Sequence, residues 1–188
     1  FPVDRVAPSP RARPWRMGRP LALPAQIAVQ GRTLDTAQFL RETDTAALLV
    51  IKDGRIRFEQ YWLTGGPNVR WLSMSMSKSF VSAMIGIAAS EGRIDSINDP
   101  VTKYMPELAG SGYDGVSIKD ILQMSSGVRW TEDYSDPQSD VFRIAHIMAR
   151  GASFAAFPAT LTREHAPGTF NRYNSTDTLV LGMLLERV

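Results

Sequence analysis

Residues 71–80 read WLSMSMSKSF and place Ser75 three positions before Lys78. The apolar run that follows predicts a helix that ends near Glu91, with Gly92 as its C-terminal cap. Residues three apart on a helix lie on one face, one turn from each other. A lysine inside an apolar helix is costly unless it has a task, and the chain has only four lysines among 21 basic residues. The spacing therefore indicates a serine nucleophile with a lysine as its base.

The polar residues of this predicted helix form a single stripe. Ser75, Lys78, Ser79 and Ser82 follow the helical spacing i, i+3, i+4 and i+7, and the remaining positions are mostly apolar. A helix that is apolar nearly all round is typical of a protein core, so we expect the stripe to line a cleft. Free N–H groups at the helix start can hold an oxyanion. The alternative is a capping serine with a lysine that reaches toward water.

The bulk composition describes an ordinary globular chain. Its 188 residues suffice for one domain, and the net charge of +2 gives no sign of a nucleic-acid or membrane partner. The absence of cysteine excludes disulfides and thiol catalysis, and two histidines make a metal centre unexpected, so we predict no metal and no cofactor. The compartment is undecided, with a cytoplasmic location preferred to a periplasmic one. Phe1 in place of Met indicates a processed or trimmed chain.

The element pattern predicts an α+β protein. Residues 1–45 are rich in Pro and Arg and are interpreted as an extended arm that includes a short helix at 33–41. The turn Asp53-Gly54 between two apolar runs predicts a strand hairpin over 46–62. Helices are expected to follow, at 99–104, 117–124, 140–150 and 176–188. The segment 151–155 is similar to a nucleophile elbow, but it lacks the final Gly and is interpreted as a loop.

Ordered matches across residues 46–188 resemble a known family. They include Ser75-x-x-Lys78, the segments 91–95, 104–111 and 132–137, and Tyr173-x-Ser175. Together they are similar to the serine β-lactamase and penicillin-binding-protein superfamily, within it to 6-aminohexanoate-dimer hydrolases and related class C-like esterases. The resemblance implies a β-lactamase/transpeptidase-like α+β fold, with an antiparallel sheet packed against helices plus a helical region. Residues 46–188 would be its N-terminal portion, with the fold incomplete at the C-terminus.

The same resemblance assigns roles to five residues. Ser75 would be the acylated nucleophile, Lys78 its base partner, and Tyr173 the tyrosine that passes a proton to the leaving group. Position 175 is Ser where β-lactamases usually carry an Asn that contacts the acyl amide, which argues against β-lactamase activity. Tyr134 matches a tyrosine close to the amide nitrogen of linear substrates. Tyr134 and Ser175 are therefore candidate substrate-binding residues.

The family's third motif, Lys- or His-x-Gly on a later strand, has no counterpart in this sequence. We therefore expect the missing C-terminal part of the same protein to be a partner of this chain, and a homodimer is a compatible assembly. The leading hypothesis is a serine hydrolase that forms an acyl-enzyme on small-molecule carboxylic esters or short linear amides. The alternatives are a β-lactamase or D-alanyl-D-alanine carboxypeptidase, and a catalytically silent binding module of the same fold.

Overall fold

A computed structural model describes residues 5–188, so the first four residues of the predicted arm lie outside it. Its contacts divide the chain into one unit that ends at Leu72 and a second unit of Ser73–Val188. The boundary predicted between residues 45 and 46 stays a prediction. Within the described residues, no helix is both long and apolar enough to cross a membrane.

The first unit contains all the strands of the described chain. Its elements are β1 (Arg16–Met17), β2 (Gln26–Val29), β3 (Arg32–Asp35), α1 (Thr36–Glu42), β4 (Ala47–Lys52) and β5 (Arg55–Tyr61). The predicted hairpin is confirmed, since β4 pairs antiparallel with β5 and Lys52 faces Arg55 across the turn. Asp53 and Gly54 both have positive φ there, as a two-residue type I′ hairpin turn requires. β1 adds to β5 in parallel, which gives the strand order β1-β5-β4.

The helix predicted at 33–41 begins three residues later than expected. β3 pairs antiparallel with β2, and this second hairpin occupies the first residues of the predicted helix. The Asp35 carboxylate then accepts a hydrogen bond from the backbone N–H of Gln38 at 2.8 Å. This bond satisfies a free N–H of the first turn, which fixes the helix start at Thr36. The predicted start at residue 33 is therefore wrong.

The second unit is helical and carries the residues singled out above. It contains α2 (Ser77–Ser90), α3 (Ile118–Leu122), α4 (Asp140–Ala149) and α5 (Ser175–Arg187), with 3-10 turns at Met74–Met76, Val101–Lys103, Pro106–Leu108 and Pro158–Thr160. The helices predicted at 117–124, 140–150 and 176–188 are confirmed. The one predicted at 99–104 is a short 3-10 turn. The predicted loop at 151–155 is also confirmed.

Helix α2 is less buried than its composition predicts. Ile85 and Ala88 belong to the same buried cluster as Val180 and Leu184 of α5. On the other faces of α2, Phe80 is 70% exposed and Ile87 is 55% exposed. The expectation of a helix buried all round is therefore wrong for the described chain, because the second unit covers only the side of α2 that faces α5.

Candidate active site

The side chains of Ser75, Lys78 and Tyr173 meet at one point. The Ser75 Oγ accepts a hydrogen bond from Lys78 Nζ at 3.0 Å and another from the Tyr173 hydroxyl at 2.7 Å. Lys78 Nζ also lies 5.1 Å from the centre of the Tyr173 ring, within the range of a cation–π interaction. The structure thus brings together the three residues that the sequence analysis named as nucleophile, base and proton relay.

A tight backbone turn presents Ser75 ahead of α2. Met74 has φ of +46°, a left-handed conformation that is costly for a residue with a side chain. The Ser77 hydroxyl donates to Met74 O at 2.8 Å and holds this turn. Ser75 lies in the 3-10 turn of Met74–Met76, one residue before Met76, which is the N-terminal cap of α2. The nucleophile candidate is therefore set by strained backbone rather than by a regular helical turn.

Tyr173 is fixed by the start of helix α5. Asn174 caps this helix through its side-chain oxygen, which accepts from Thr176 N at 2.8 Å. The preceding segment is held to the end of α3, because Arg172 N donates to Met124 O at 2.9 Å and the Asn171 amide donates to Gln123 O at 2.8 Å. The Tyr173 hydroxyl consequently points toward the turn that carries Ser75.

The charge of Lys78 alters the acidity of Tyr173. Partial burial raises the pKa of the phenol, but hydrogen bonds with Lys78 and Ser75 and the positive charge of Lys78 lower it by more. The net pKa of Tyr173 lies below its ordinary value. A phenol whose pKa is lowered loses its proton more easily, so the phenolate that can accept a proton from Ser75 is more accessible near neutral pH. Lys78 is itself half-exposed, so the burial predicted for it is found only in part.

A buried polar layer lies beneath Tyr173. Asp177 Oδ1 accepts hydrogen bonds from the Tyr113 hydroxyl at 2.8 Å and from the Asn174 amide at 3.0 Å. All three side chains are buried. Burial raises the pKa of Asp177 to about 7. This layer ties Asp177 of α5 to Tyr113, 64 residues earlier in the chain, and so restrains the backbone next to Tyr173.

Glu132 is a site residue that the sequence analysis missed. Its carboxylate accepts hydrogen bonds from Trp130 Nε1, the Tyr134 hydroxyl and the Ser175 hydroxyl, each at 2.8 Å. It also accepts from the backbone N–H of Ser175 at 3.1 Å. The two candidate substrate-binding residues, Tyr134 and Ser175, therefore share one carboxylate. The only signal in the sequence was the place of Glu132 two residues before Tyr134, in a segment matched to the family.

The carboxylate of Glu132 is held in its charged form. Burial raises its pKa, but the hydrogen bonds from Trp130, Tyr134 and Ser175 lower it by more, so the net pKa lies below the ordinary range. The pKa of Tyr134 is in turn raised to about 12. The causes are its hydrogen bond to Glu132, its partial burial and the negative charge of Glu132. Tyr134 is therefore a neutral hydroxyl at physiological pH, although its side chain is 69% exposed.

Replacing Glu132 with Gln is expected to lower kcat by about tenfold, the equivalent of one charge-assisted hydrogen bond. The negative charge of Glu132 also raises the pKa of Tyr173. Its removal lowers that pKa, so the limb of the pH–rate profile that reports Tyr173 should move to lower pH. Glu107→Gln, which removes the charge paired with Arg187, is the matched control and should leave the profile in place. An unmoved profile in Glu132→Gln would contradict the assignment.

Two cavities adjoin Lys78 in the second unit. Lys78, Ser79 and Ser82 line one of about 320 Å³, so three members of the predicted polar stripe do face a cleft. A larger cavity of about 520 Å³ is lined by Lys78 and Ser175 together with residues of α5 and the loop after α4. Within residues 5–188 the acidic and histidine side chains form no cluster that could hold a metal ion.

Comparisons with known proteins agree on the fold and the family. The chain is 39% identical over 170 residues to the 6-aminohexanoate-dimer hydrolase of Paenarthrobacter ureafaciens. The matched region covers 86% of this chain and 42% of that protein. A solved structure named as a candidate 6-aminohexanoate-dimer hydrolase from Bacillus anthracis superposes with a TM-score of 0.69 over 92% of this chain and 49% of the other, at 20% identity. A D-stereospecific amidohydrolase from a Streptomyces species superposes with a TM-score of 0.55 at 26% identity, covering 72% of this chain and 42% of the other.

The predicted fold is confirmed by these superpositions, as a β-lactamase/transpeptidase-like α+β fold of which the chain covers a part. The chain spans less than half the length of these relatives. The family model named Beta-lactamase matches residues 35–188, which is most of the sequence and includes Ser75, Lys78 and Tyr173. The chain belongs to the β-lactamase family, and it is related there to 6-aminohexanoate-dimer hydrolase.

Proposed function

We propose that this chain carries the nucleophile of a serine hydrolase that cleaves carboxylic esters or short linear amides through an acyl-enzyme. The observation that carries the proposal is the Ser75 Oγ, with Tyr173 and Lys78 both within hydrogen-bond reach. A serine hydroxyl is a weak nucleophile until an adjacent base takes its proton. The 39% identity to a 6-aminohexanoate-dimer hydrolase supports the substrate class.

In the proposed acylation, the Lys78–Tyr173 pair takes the proton of Ser75 as its Oγ attacks the substrate carbonyl. The bond from Oγ to the carbonyl carbon forms, and the tetrahedral intermediate carries the negative charge. Collapse breaks the bond to the leaving alcohol or amine, which receives its proton from Tyr173. The lowered pKa of Tyr173 supports this double role, because a group whose pKa lies closer to the operating pH can both accept and return a proton.

In the proposed deacylation, a water molecule gives its proton to the same pair and attacks the acyl carbon. The bond to Ser75 Oγ breaks, the serine regains a proton, and a carboxylic acid leaves. The backbone N–H of Ser75 is assigned to the oxyanion, because it has no acceptor among the described residues. The start of α2 adds the positive end of a 14-residue helix.

Penicillin recognition is the second candidate, since the family model is that of β-lactamases. The side chain at position 175 bears on it. The Ser175 hydroxyl and the Ser175 backbone N–H both donate to the Glu132 carboxylate, so both of these donors are already used within the protein. That arrangement favours the ester and linear-amide reading.

A fluorophosphonate probe tests the proposal in the intact protein. One label per chain is expected, on the peptide that contains Ser75, and mass spectrometry locates it. Absence of labelling would instead support a silent binding module of the same fold. Stoichiometric labelling by a fluorescent penicillin would support the second candidate, and we expect none.

A further inference from the structure

A cavity of about 620 Å³ in the first unit takes no part in the chemistry described above. All of its lining residues lie between Leu23 and Leu63, so it belongs to the unit that ends at Leu72. Its size lies within the roughly 300–1,000 Å³ typical of small-molecule sites. It is also larger than either cavity beside Lys78. The cavity is therefore a candidate site for a ligand that is not the substrate.

The lining of this cavity combines an apolar part with charged side chains. Seven of the thirteen lining residues are apolar, and Leu23, Leu40 and Trp62 among them are half-buried. Three others are polar without charge. The charged members are Asp35, Arg41 and Asp44. A lining of this kind suits an amphipathic molecule, because it offers apolar contact and charge in the same cavity.

Two of the three charges have no ion-pair partner in the described chain. The ion pairs of residues 5–188 all lie in the second unit, so neither Arg41 nor Asp44 belongs to one, and the two do not pair with each other. Both side chains are exposed. The carboxylate of Asp35, by contrast, accepts the hydrogen bond from Gln38 N that begins α1. A cation and an anion therefore stand open to a ligand on the solvent side of the cavity.

Asp44 stands at a helix end that disfavours it. Its φ is +48°, the left-handed conformation in which helix ends usually carry glycine. Its backbone N–H donates to Arg41 O at 3.2 Å, and Thr45 N donates to Leu40 O at 3.0 Å, which closes the last turn of α1. A carboxylate beside a helix C-terminus is also repelled by the negative end of the helix dipole. Because this carboxylate is unfavourable for the helix, its presence indicates a use outside the helix.

We propose that this cavity binds a free α-amino acid with an apolar side chain. The guanidinium of Arg41 pairs with the carboxylate of the ligand, and the carboxylate of Asp44 pairs with its ammonium group. Leu40 and Trp62 contact its side chain. Because Arg41 and Asp44 belong to one closing turn, the two charges of the ligand must lie close together, as they do on a single carbon atom. A residue within a peptide lacks at least one of these charges.

Isothermal titration calorimetry of the intact protein with L-leucine and L-phenylalanine tests the proposal. Both should bind at one site per chain. Isocaproate is leucine without the ammonium group, isoamylamine is leucine without the carboxylate, and glycine has no side chain. Each should bind weaker than leucine by about tenfold or more, the loss expected for one charged contact or one buried aliphatic side chain. The same loss is expected for 6-aminohexanoate, an isomer of leucine whose two charges lie at opposite ends.

Arg41→Gln and Asp44→Asn each remove one charge and preserve the backbone. Glutamine is a good helix former, and asparagine tolerates the left-handed conformation of position 44. Each variant should weaken leucine binding by about tenfold or more. Melting temperatures without ligand should stay close to that of the wild type, because both side chains are exposed. Glu42→Gln is the matched control, since it removes a charge from the same helix at a residue that does not line the cavity, and it should bind leucine as the wild type does.

Three results would overturn the proposal. The first is an absence of leucine and phenylalanine binding at millimolar concentrations. The second is binding of isocaproate, isoamylamine or 6-aminohexanoate as tight as that of leucine, which would remove the need for two adjacent charges. The third is unweakened leucine binding in both folded charge variants. None of these results bears on the proposed hydrolase, whose nucleophile, base and tyrosine lie in the second unit.

Discussion

Replacing Ser75 with Ala is expected to lower kcat/KM for p-nitrophenyl esters by about 10⁴-fold or more. Nucleophile replacement in serine hydrolases costs about this much, and the remaining rate comes from binding and oxyanion stabilisation alone. Here the loss should be severe because the Ser75 Oγ is the atom on which both Lys78 and Tyr173 converge. Steady-state hydrolysis and the initial burst of p-nitrophenol measure it, and the burst should vanish.

Ser73→Ala is the matched control for this variant. It removes a hydroxyl two residues earlier, from a side chain that makes no capping hydrogen bond to the following turn. Its kcat/KM should stay close to that of the wild type. If Ser75→Ala retains the activity of Ser73→Ala, another residue is the nucleophile.

Replacing Tyr173 with Phe should lower kcat by about 10² to 10⁴, the usual contribution of a general acid–base. The ring stays beneath the ammonium of Lys78, which lies 5.1 Å from its centre, so the change removes only the hydroxyl. The limb of the pH–rate profile that reports the lowered pKa of Tyr173 should also disappear. A purely structural tyrosine would leave that limb in place.

The chain offers a close control in Tyr104. Its hydroxyl donates to Asp99 at 2.7 Å, and Lys103 Nζ lies 5.3 Å from its ring, so Tyr104 has a donating hydroxyl and a lysine near its ring, as Tyr173 has, but away from Ser75. Tyr104→Phe should cost about 1 kcal/mol of folding free energy and leave kcat unchanged. Equal kinetic effects in the two variants would show that loss of a hydroxyl acts through stability alone.

Local chemistry in the sequence predicts the elements that carry the site. Asp53-Gly54 favours a tight turn between two apolar runs, and the spacing from Ser75 to Lys78 predicts that both side chains lie on one face of a helical segment. The meeting of Ser75 with Tyr173 spans 98 residues and depends on how α2 packs against α5. Spacing alone does not encode that packing; the family resemblance supplied it.

Two features of the site escaped the sequence because they arise only in the folded chain. Glu132 is an ordinary acidic loop residue until folding brings Trp130, Tyr134 and Ser175 to its two oxygens. The second feature is the exposed side of α2. An apolar circumference predicts that a helix is buried, but it does not say which parts of the protein cover each face.

The left-handed backbone of Met74 implies that stability and catalytic rate favour different residues at this position. Such a conformation costs about 1 to 2 kcal/mol for a residue with a side chain, and glycine adopts it freely. Selection for heat resistance alone would favour glycine at 74. Glycine would also let the turn before Ser75 explore other shapes, so selection for fast hydrolysis should retain a bulkier residue there. Laboratory evolution under each pressure would therefore diverge one residue before the nucleophile.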